Sequence, residues 1–247
     1  RLATAVGEAA PFSIEIVQPK VPLVQNGTMN LKVVAKRNEG FTAPINLRTL
    51  WVPSGVGAGT ADIPEGGTEV GLFMNANGGA AVGTHRIAVI GTSAGYTVST
   101  ALTPIVVAAP WVTFDVATAE SEQGKPAQLK VTVNQLAAFD GSFNAELLGL
   151  PKGCTTPVQA FTKDTKELVF PIEIAADAPV GKFGNLFIRA VIQKEGEDVL
   201  HQWGGGQLQV FAPLPPAATP APEAPKPEEK KPDEPARKTR FPVAAAG

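Results

Sequence analysis

Cysteine is almost missing from this 247-residue chain. Cys154 stands alone, which excludes an intramolecular disulfide and a Cys-based metal site. Histidine is nearly as scarce, so the commonest general base could come only from His85 or His201. Charged residues make up 18% of the chain, too few for salt-bridged helix surfaces. The net charge is −2, and Lys and Arg are scattered along the part before the Pro-rich region. A nucleic-acid binder needs a concentrated basic face to neutralise phosphates, so this distribution argues against one, and it weakens attraction to an anionic membrane. No apolar run reaches the ~20 residues that a membrane span requires. The opening Arg1-Leu2-Ala3-Thr4-Ala5 lacks Met and the apolar stretch of a signal peptide, as expected of a mature product or an excised segment of something longer.

What the chain does have is glycine and proline, 25 and 23 residues, beside an apolar content of 44%. Helix interiors tolerate neither residue, whereas short strands joined by tight turns need both. Phe12-Ser13-Ile14-Glu15-Ile16 alternates apolar and polar residues, and so does Leu31 to Lys36 with Leu31, Val33 and Ala35 facing inward. The same alternation returns in Leu129 to Asn134 and in Leu168 to Ile174. A period of two places one face on a core and the other in water. Turn signals separate these runs, among them Asn26-Gly27, Glu39-Gly40, Gly66-Gly67, Asp140-Gly141 and Glu195-Gly196. Many short strands spaced by turns indicate a sandwich or barrel.

An internal repeat with an offset of 98 residues organises these strands. Leu31-Lys32-Val33 returns as Leu129-Lys130-Val131, Phe41 as Phe139, Asn46 as Asn144, and Pro53 and Gly55 as Pro151 and Gly153. Glu69-Val70-Gly71-Leu72 aligns with Glu167-Leu168-Val169-Phe170, and Val82-Gly83 with Val180-Gly181. The offset is even, so inward positions of one copy map onto inward positions of the other. A unit of this length matches one seven-stranded sandwich and is too long for a solenoid or propeller repeat. The expected organisation is an N-terminal flank at 1–10, module one at 11–109 and module two at 110–212. From 213 to 240 the chain is Pro-rich and charged, with too little apolar bulk to offset the entropy of ordering. That stretch reads as an extended, unstructured spacer, and 241–247 turns apolar again as a tail or the start of a further element.

Module two carries a family pattern. Leu150-Pro151-Lys152-Gly153-Cys154 is followed by Thr165 to Phe170 and then by Ala175-Ala176-Asp177-Ala178-Pro179-Val180-Gly181-Lys182-Phe183. This resembles the bacterial immunoglobulin-like repeats of exported and surface proteins, which run "LPxGV", an alternating strand, then "ADAPxGxY". Module one keeps a weaker copy in Val52-Pro53-Ser54-Gly55-Val56 and Ala80 to His85. Cys154 departs from the usual aliphatic residue and Phe183 from the common Tyr. The resemblance implies two tandem immunoglobulin-like antiparallel β-sandwiches, an all-β fold, and a place outside the cell, on its surface or in the periplasm. It implies spacer or adhesive roles for such repeats and names no ligand.

Candidate sites are few. His85 opens a strand and His201 lies beside Trp203, and each reads as a half-buried or surface strand residue rather than a catalytic base. No spaced set of metal ligands occurs, and no D-x-D-x-D-G calcium loop. Gly55-Val56-Gly57-Ala58-Gly59 and Gly204-Gly205-Gly206 resemble phosphate-cradling loops, but neither leads into a helix, and a turn or strand bulge fits better. Trp51, Trp111 and Trp203 are the candidate aromatic contacts, either a sugar-stacking platform or packing in the cores and between modules. Asn26-Gly27-Thr28 matches a glycosylation sequon, though Asn-Gly is first a turn signal.

The sequence therefore leads to a non-catalytic structural or interaction segment of a larger exported bacterial protein, with no cofactor and no metal. The expected partners are neighbouring domains of the same polypeptide, and cell-surface proteins or glycans. The alternative is an adhesive module for carbohydrate or protein, and the third reading is an accessory domain of a secreted hydrolase. Since only a few residues around Pro110 connect the modules, they are expected end to end with limited bending and with Trp111 packed near the joint.

Overall fold

In the computed structural model residues 9–214 are described. Most of the N-terminal flank, the Pro-rich segment from residue 215 and the tail at 241–247 lie outside the described residues.

The described residues form twenty strands and no helix. The first half holds β1 (Phe12–Ile16), β2 (Leu23–Val24), β3 (Gly27–Arg37), β4 (Ile45–Thr49), β5 (Val56–Ala58) and β6 (Thr60–Ile63). It continues with β7 (Glu69–Ala76), β8 (Gly83–Ile87), β9 (Val89–Ser93), β10 (Tyr96–Ser99) and β11 (Thr103–Ala108). The second half holds β12 (Val112–Val116), β13 (Thr118–Glu122), β14 (Ala127–Gln135), β15 (Ser142–Leu148) and β16 (Cys154–Thr155). It ends with β17 (Gln159–Thr162), β18 (Glu167–Ile174), β19 (Gly181–Lys194) and β20 (Glu197–Phe211).

Alternating side chains close one core in each half. In the first, Phe12, Ile14 and Ile16 of β1, Leu31 and Val33 of β3 and Leu72 and Met74 of β7 meet Ile45, Leu47, Val89, Ile105 and Val107 from the facing strands. In the second, β12, β14 and β18 face β15, β17, β19 and β20 in the same way. The register expected from the repeat holds. Leu31, Val33 and Leu72 are buried in one core, with Val70 half-buried against it, and Leu129, Val131, Leu168 and Phe170 are buried in the other.

Pairing is antiparallel except at two places, β2 on β11 and β13 on β20, which run parallel. The cause is a crossing early in each half. β1 pairs with β3, and β12 with β14, in one layer. The chain then moves to the opposite layer, where it lies beside the last strand in the same direction.

The duplication extends to individual hydrogen bonds. Gln25 Nε2 donates to the Ala80 carbonyl as Gln123 Nε2 does to that of Ala178. The Val56 amide donates to the Pro53 carbonyl as Cys154 does to Pro151. Gly55 and Gly153 take φ of 77° and 79°, left-handed values that favour glycine at both turns. The glycine run at 204–206 lies inside β20, where Gly205 (φ 109°) is the extra residue of a bulge between Leu186 and Phe187 on the partner strand.

The halves are joined by more than the peptide around Pro110. β20 pairs antiparallel with β3 through Leu200↔Thr28 and His201↔Gly27. One nine-stranded sheet therefore runs β17-β15-β19-β20-β3-β7-β5 across both halves, with β1 added beside β3 and β13 beside β20. The joint is a backbone ladder, where the sequence suggested only a short connection.

Candidate functional site

The joint gathers the most specialised side chains of the molecule. β19 and β20 form a long hairpin whose turn, Glu195-Gly196, uses positive φ at both residues (54° and 79°). Its tip reaches the first half, where Val199 is buried within the first core. Glu197 Oε2 accepts from the backbone amides of Lys20 (2.9 Å) and Val21 (3.3 Å), two donors on the loop before β2. The Gln202 amide donates to the Asn26 carbonyl at 2.6 Å.

This approach depends on Gly27. A Cβ there would overlap the Leu200 carbonyl oxygen and the Val24 side chain. The preceding Asn26 supplies the turn with φ 53°, so Asn26-Gly27 is a turn signal as expected and also the docking point of the other half.

His201 is fully buried at the crossing. The Trp111 amide donates to its Nε2 at 3.1 Å, which fixes Nε2 as the unprotonated nitrogen and leaves the proton on Nδ1. Nδ1 has no hydrogen-bond partner of normal geometry. Burial lowers the imidazole pKa from 6.5 to about 4, and the Val199 backbone offsets part of that shift. A buried, neutral imidazole whose lone pair is already occupied cannot act as a general base. Its chemistry here is that of an acceptor closing a backbone donor.

Trp111 spans the crossing. It packs against both cores, its ring lies 6.2 Å from that of His201, and Lys194 Nζ stands 5.2 Å from its centroid. Its carbonyl accepts from the Leu136 and Ala137 amides. A groove of about 500 Å³ is lined by residues of the segment after β1, of β3 and of the β19–β20 hairpin tip. Val17, Pro19, Met29 and Leu200 give it apolar walls, with Glu197 and Asp198 at the rim.

The three tryptophans do not come together. Trp111 marks the joint, and Trp203 packs half-buried against the second core with its Nε1 buried and without a hydrogen-bond partner. Trp51 is 53% exposed after β4, beside exposed Leu50. The Leu50 amide bonds the Ala88 carbonyl and the Thr100 amide bonds that of Val89, so Leu50, Trp51 and exposed Leu102 belong to loops tied to one kink. His85 Nε2 lies 2.8 Å from the Ala81 carbonyl. Among the described residues no three His, Cys, Asp or Glu converge as a metal site would require, and no helix is long and apolar enough to cross a membrane.

Sequence reasoning missed Gly27, Glu197 and the burial of His201. One signal was available. The Ala94-Gly95 turn aligns with Glu195-Gly196 at an offset of 101, so the second half carries extra length in this hairpin. Gly27 also stands opposite Lys125 in the repeat.

The chain thus belongs to the class of all-β proteins built from several antiparallel sheets. No family model matches it, and no curated protein does. Among solved structures it is similar to a Porphyromonas gingivalis protein of unknown function at 8% identity, covering 81% of this chain and 100% of that one, with a TM-score of 0.28. Yersinia pseudotuberculosis adhesin InvE matches at 13% identity over 78% of this chain and 58% of its own, with a TM-score of 0.26. The C-terminal domain of the Streptococcus agalactiae AgI/II polypeptide BspA matches at 10% identity, covering 81% and 100%, with a TM-score of 0.24. At that level of superposition the neighbours decide nothing, and the function has to be argued from the residues of this chain.

Proposed function

We propose that this chain is a non-catalytic structural segment of a larger exported bacterial protein. Two immunoglobulin-like modules, 11–109 and 110–212, hold neighbouring parts of the polypeptide in a fixed relation outside the cell, on its surface or in the periplasm. The observation that carries this reading is the β20–β3 ladder. A flexible tether would leave the two sheets separate, whereas here a glycine position, a buried histidine and a carboxylate on two backbone amides all serve one crossing. Spin labels at Glu15→Cys and Lys130→Cys, in a Cys154→Val background, test it. A single narrow distance distribution is expected, and a broad one spanning tens of ångströms overturns the fixed joint.

One observation favours a second role, an adhesive module for protein or glycan. Leu50, Trp51 and Leu102 are 60%, 53% and 64% exposed on loops tied to the same kink, an apolar surface that a pure spacer does not need. Binding to a glycan or surface-protein array that Trp51→Ala abolishes would move the weight to this reading.

A further inference from the structure

We propose that the joint is an acid-released latch, in which protonation of His201 frees the β19–β20 hairpin tip from β3. The inference rests on the fixed-joint reading above and adds its regulation. Nε2 has to stay unprotonated to accept the Trp111 amide, because an imidazolium presents two donors and no acceptor. A protonated His201 would therefore face the Trp111 N–H with an N–H of its own, fully buried, and with no hydrogen-bonded acceptor at Nδ1. Release exposes both groups to water and removes the conflict.

The surrounding charges do not oppose this. On β20 itself Glu197 is bound to the Lys20 and Val21 amides, and exposed Asp198 lines the groove. From β19, Lys194 lies over Trp111 and adds a positive charge on that side. From β3, Gly27 and Thr28 bring none, and Lys32 further along is paired with Glu69 at 2.8 Å. The loop before β2 brings Lys20, and the segment at 109–112 brings no charge. No carboxylate is hydrogen-bonded to either ring nitrogen, so only the Val199 backbone favours the imidazolium in place, and burial outweighs it.

The size of the effect follows from linkage. His201 held near pKa 4 in the joint and 6.5 once released raises the released population about tenfold per pH unit below 6.5. The rise reaches about 100-fold between pH 7 and pH 4, where the docked imidazole begins to protonate as well.

Amide hydrogen exchange on the full chain tests this, each rate being normalised to its intrinsic value. Protection of the Trp111 and Gln202 amides should fall about 100-fold between pH 7 and pH 4, while Ala35 and Val133, bonded within their own halves, keep theirs. His201→Gln, which retains an acceptor and does not titrate, should abolish the fall. Glu197→Gln should leave it in place. Constant protection at Trp111 and Gln202, or an unchanged fall in His201→Gln, overturns the latch. Should His201→Gln not fold, the ring resonances of wild-type His201 decide, since protonation with the hairpin still docked is equally fatal. The spin-label distances separate the two readings. A broad distribution at pH 7.5 sinks the fixed joint, and a narrow one at pH 7.5 with constant amide protection down to pH 4 sinks only the latch.

Discussion

The last strands of the first half are cut into four pieces, β8 to β11, while their counterparts in the second half, β19 and β20, run unbroken for 14 and 15 residues. Breaks at Ala88 and at Thr100–Leu102 let the first pair switch sheets. β8 and β11 join a three-stranded sheet, and β9 and β10 a four-stranded one. In the second half the Gly205 bulge absorbs the irregularity, so the hairpin stays in one sheet and extends far enough to reach β3. Two copies of one frame thus differ where one must dock on the other.

The cores differ too. The second holds an aromatic cluster in which Phe161 touches Phe114, Phe139 and Phe143 at centroid distances of 5.8 to 6.4 Å. The equivalent position in the first half is Ile63, fully buried in a core whose ring contact is one stacked pair, Phe12 on Phe41 at 5.4 Å. Phe161→Ala should give the largest effect, a loss of about 3–5 kcal/mol confined to the second half, with Ile63→Ala costing about 2–5 in the first. Urea unfolding read by exchange in each half measures both. A larger loss at Ile63 than at Phe161 would break the contrast between the cores.

His201 gives the next largest effect. Its folded pKa of about 4 lies below the unfolded 6.5, so between these values the unfolded chain binds more protons. The stability it secures is fully present above pH 6.5 and is lost as pH falls toward 4, on the order of 3 kcal/mol in all. Its counterpart in the first half is Thr100, which does not titrate. His201→Gln should flatten this part of the pH profile of denaturant unfolding. An unaltered profile would remove His201 from the account of the joint.

Much of the fold was legible because alternation is a local property. Phe12-Ser13-Ile14-Glu15-Ile16 reads as a half-buried strand with no knowledge of its partner. The repeat then copied the assignments between about residues 31 and 83 across 98 residues. The joint was not legible, because pairing between β20 and β3 links residues 174 apart, as His201↔Gly27, and leaves no period in either segment. Gly27 looked like half of a turn, and it is one. Only the carbonyl of Leu200 reveals why a side chain is excluded there.

That exclusion yields a comparison between equivalent residues. Gly27→Ala forces a Cβ against backbone at the crossing and should cost about 1–3 kcal/mol, with loss of Trp111 and Gln202 amide protection. Lys125, its partner in the repeat, forms a surface ion pair with Glu122 at 2.8 Å, and Lys125→Ala should change stability by less than about 1 kcal/mol. Equal effects on thermal unfolding would show that Gly27 serves its own turn and not the joint.

The smallest expected effect concerns what the halves share. Gln25 and Gln123 stand 98 residues apart, each part-buried and each donating through Nε2 to a loop carbonyl, Ala80 or Ala178, that precedes β8 or β19. Their own amides also match, donating to the Ala108 and Phe211 carbonyls of the last strands. Each side chain therefore ties the start of β3 or β14 to the entry of a strand in the opposite layer. Truncation to Ala removes one net hydrogen bond and strands one carbonyl, a loss of about 0.5–1.5 kcal/mol. Because nothing else in the two surroundings is bonded to those side chains, Gln25→Ala and Gln123→Ala should cost the same within about 0.5 kcal/mol. Exchange of the Ala80 and Ala178 amides, read separately in each variant, localises the loss to the mutated half. A pair of values differing by more than that margin would mean that the first half, loaded by the docked hairpin near Gln25, no longer uses the shared device in the shared way.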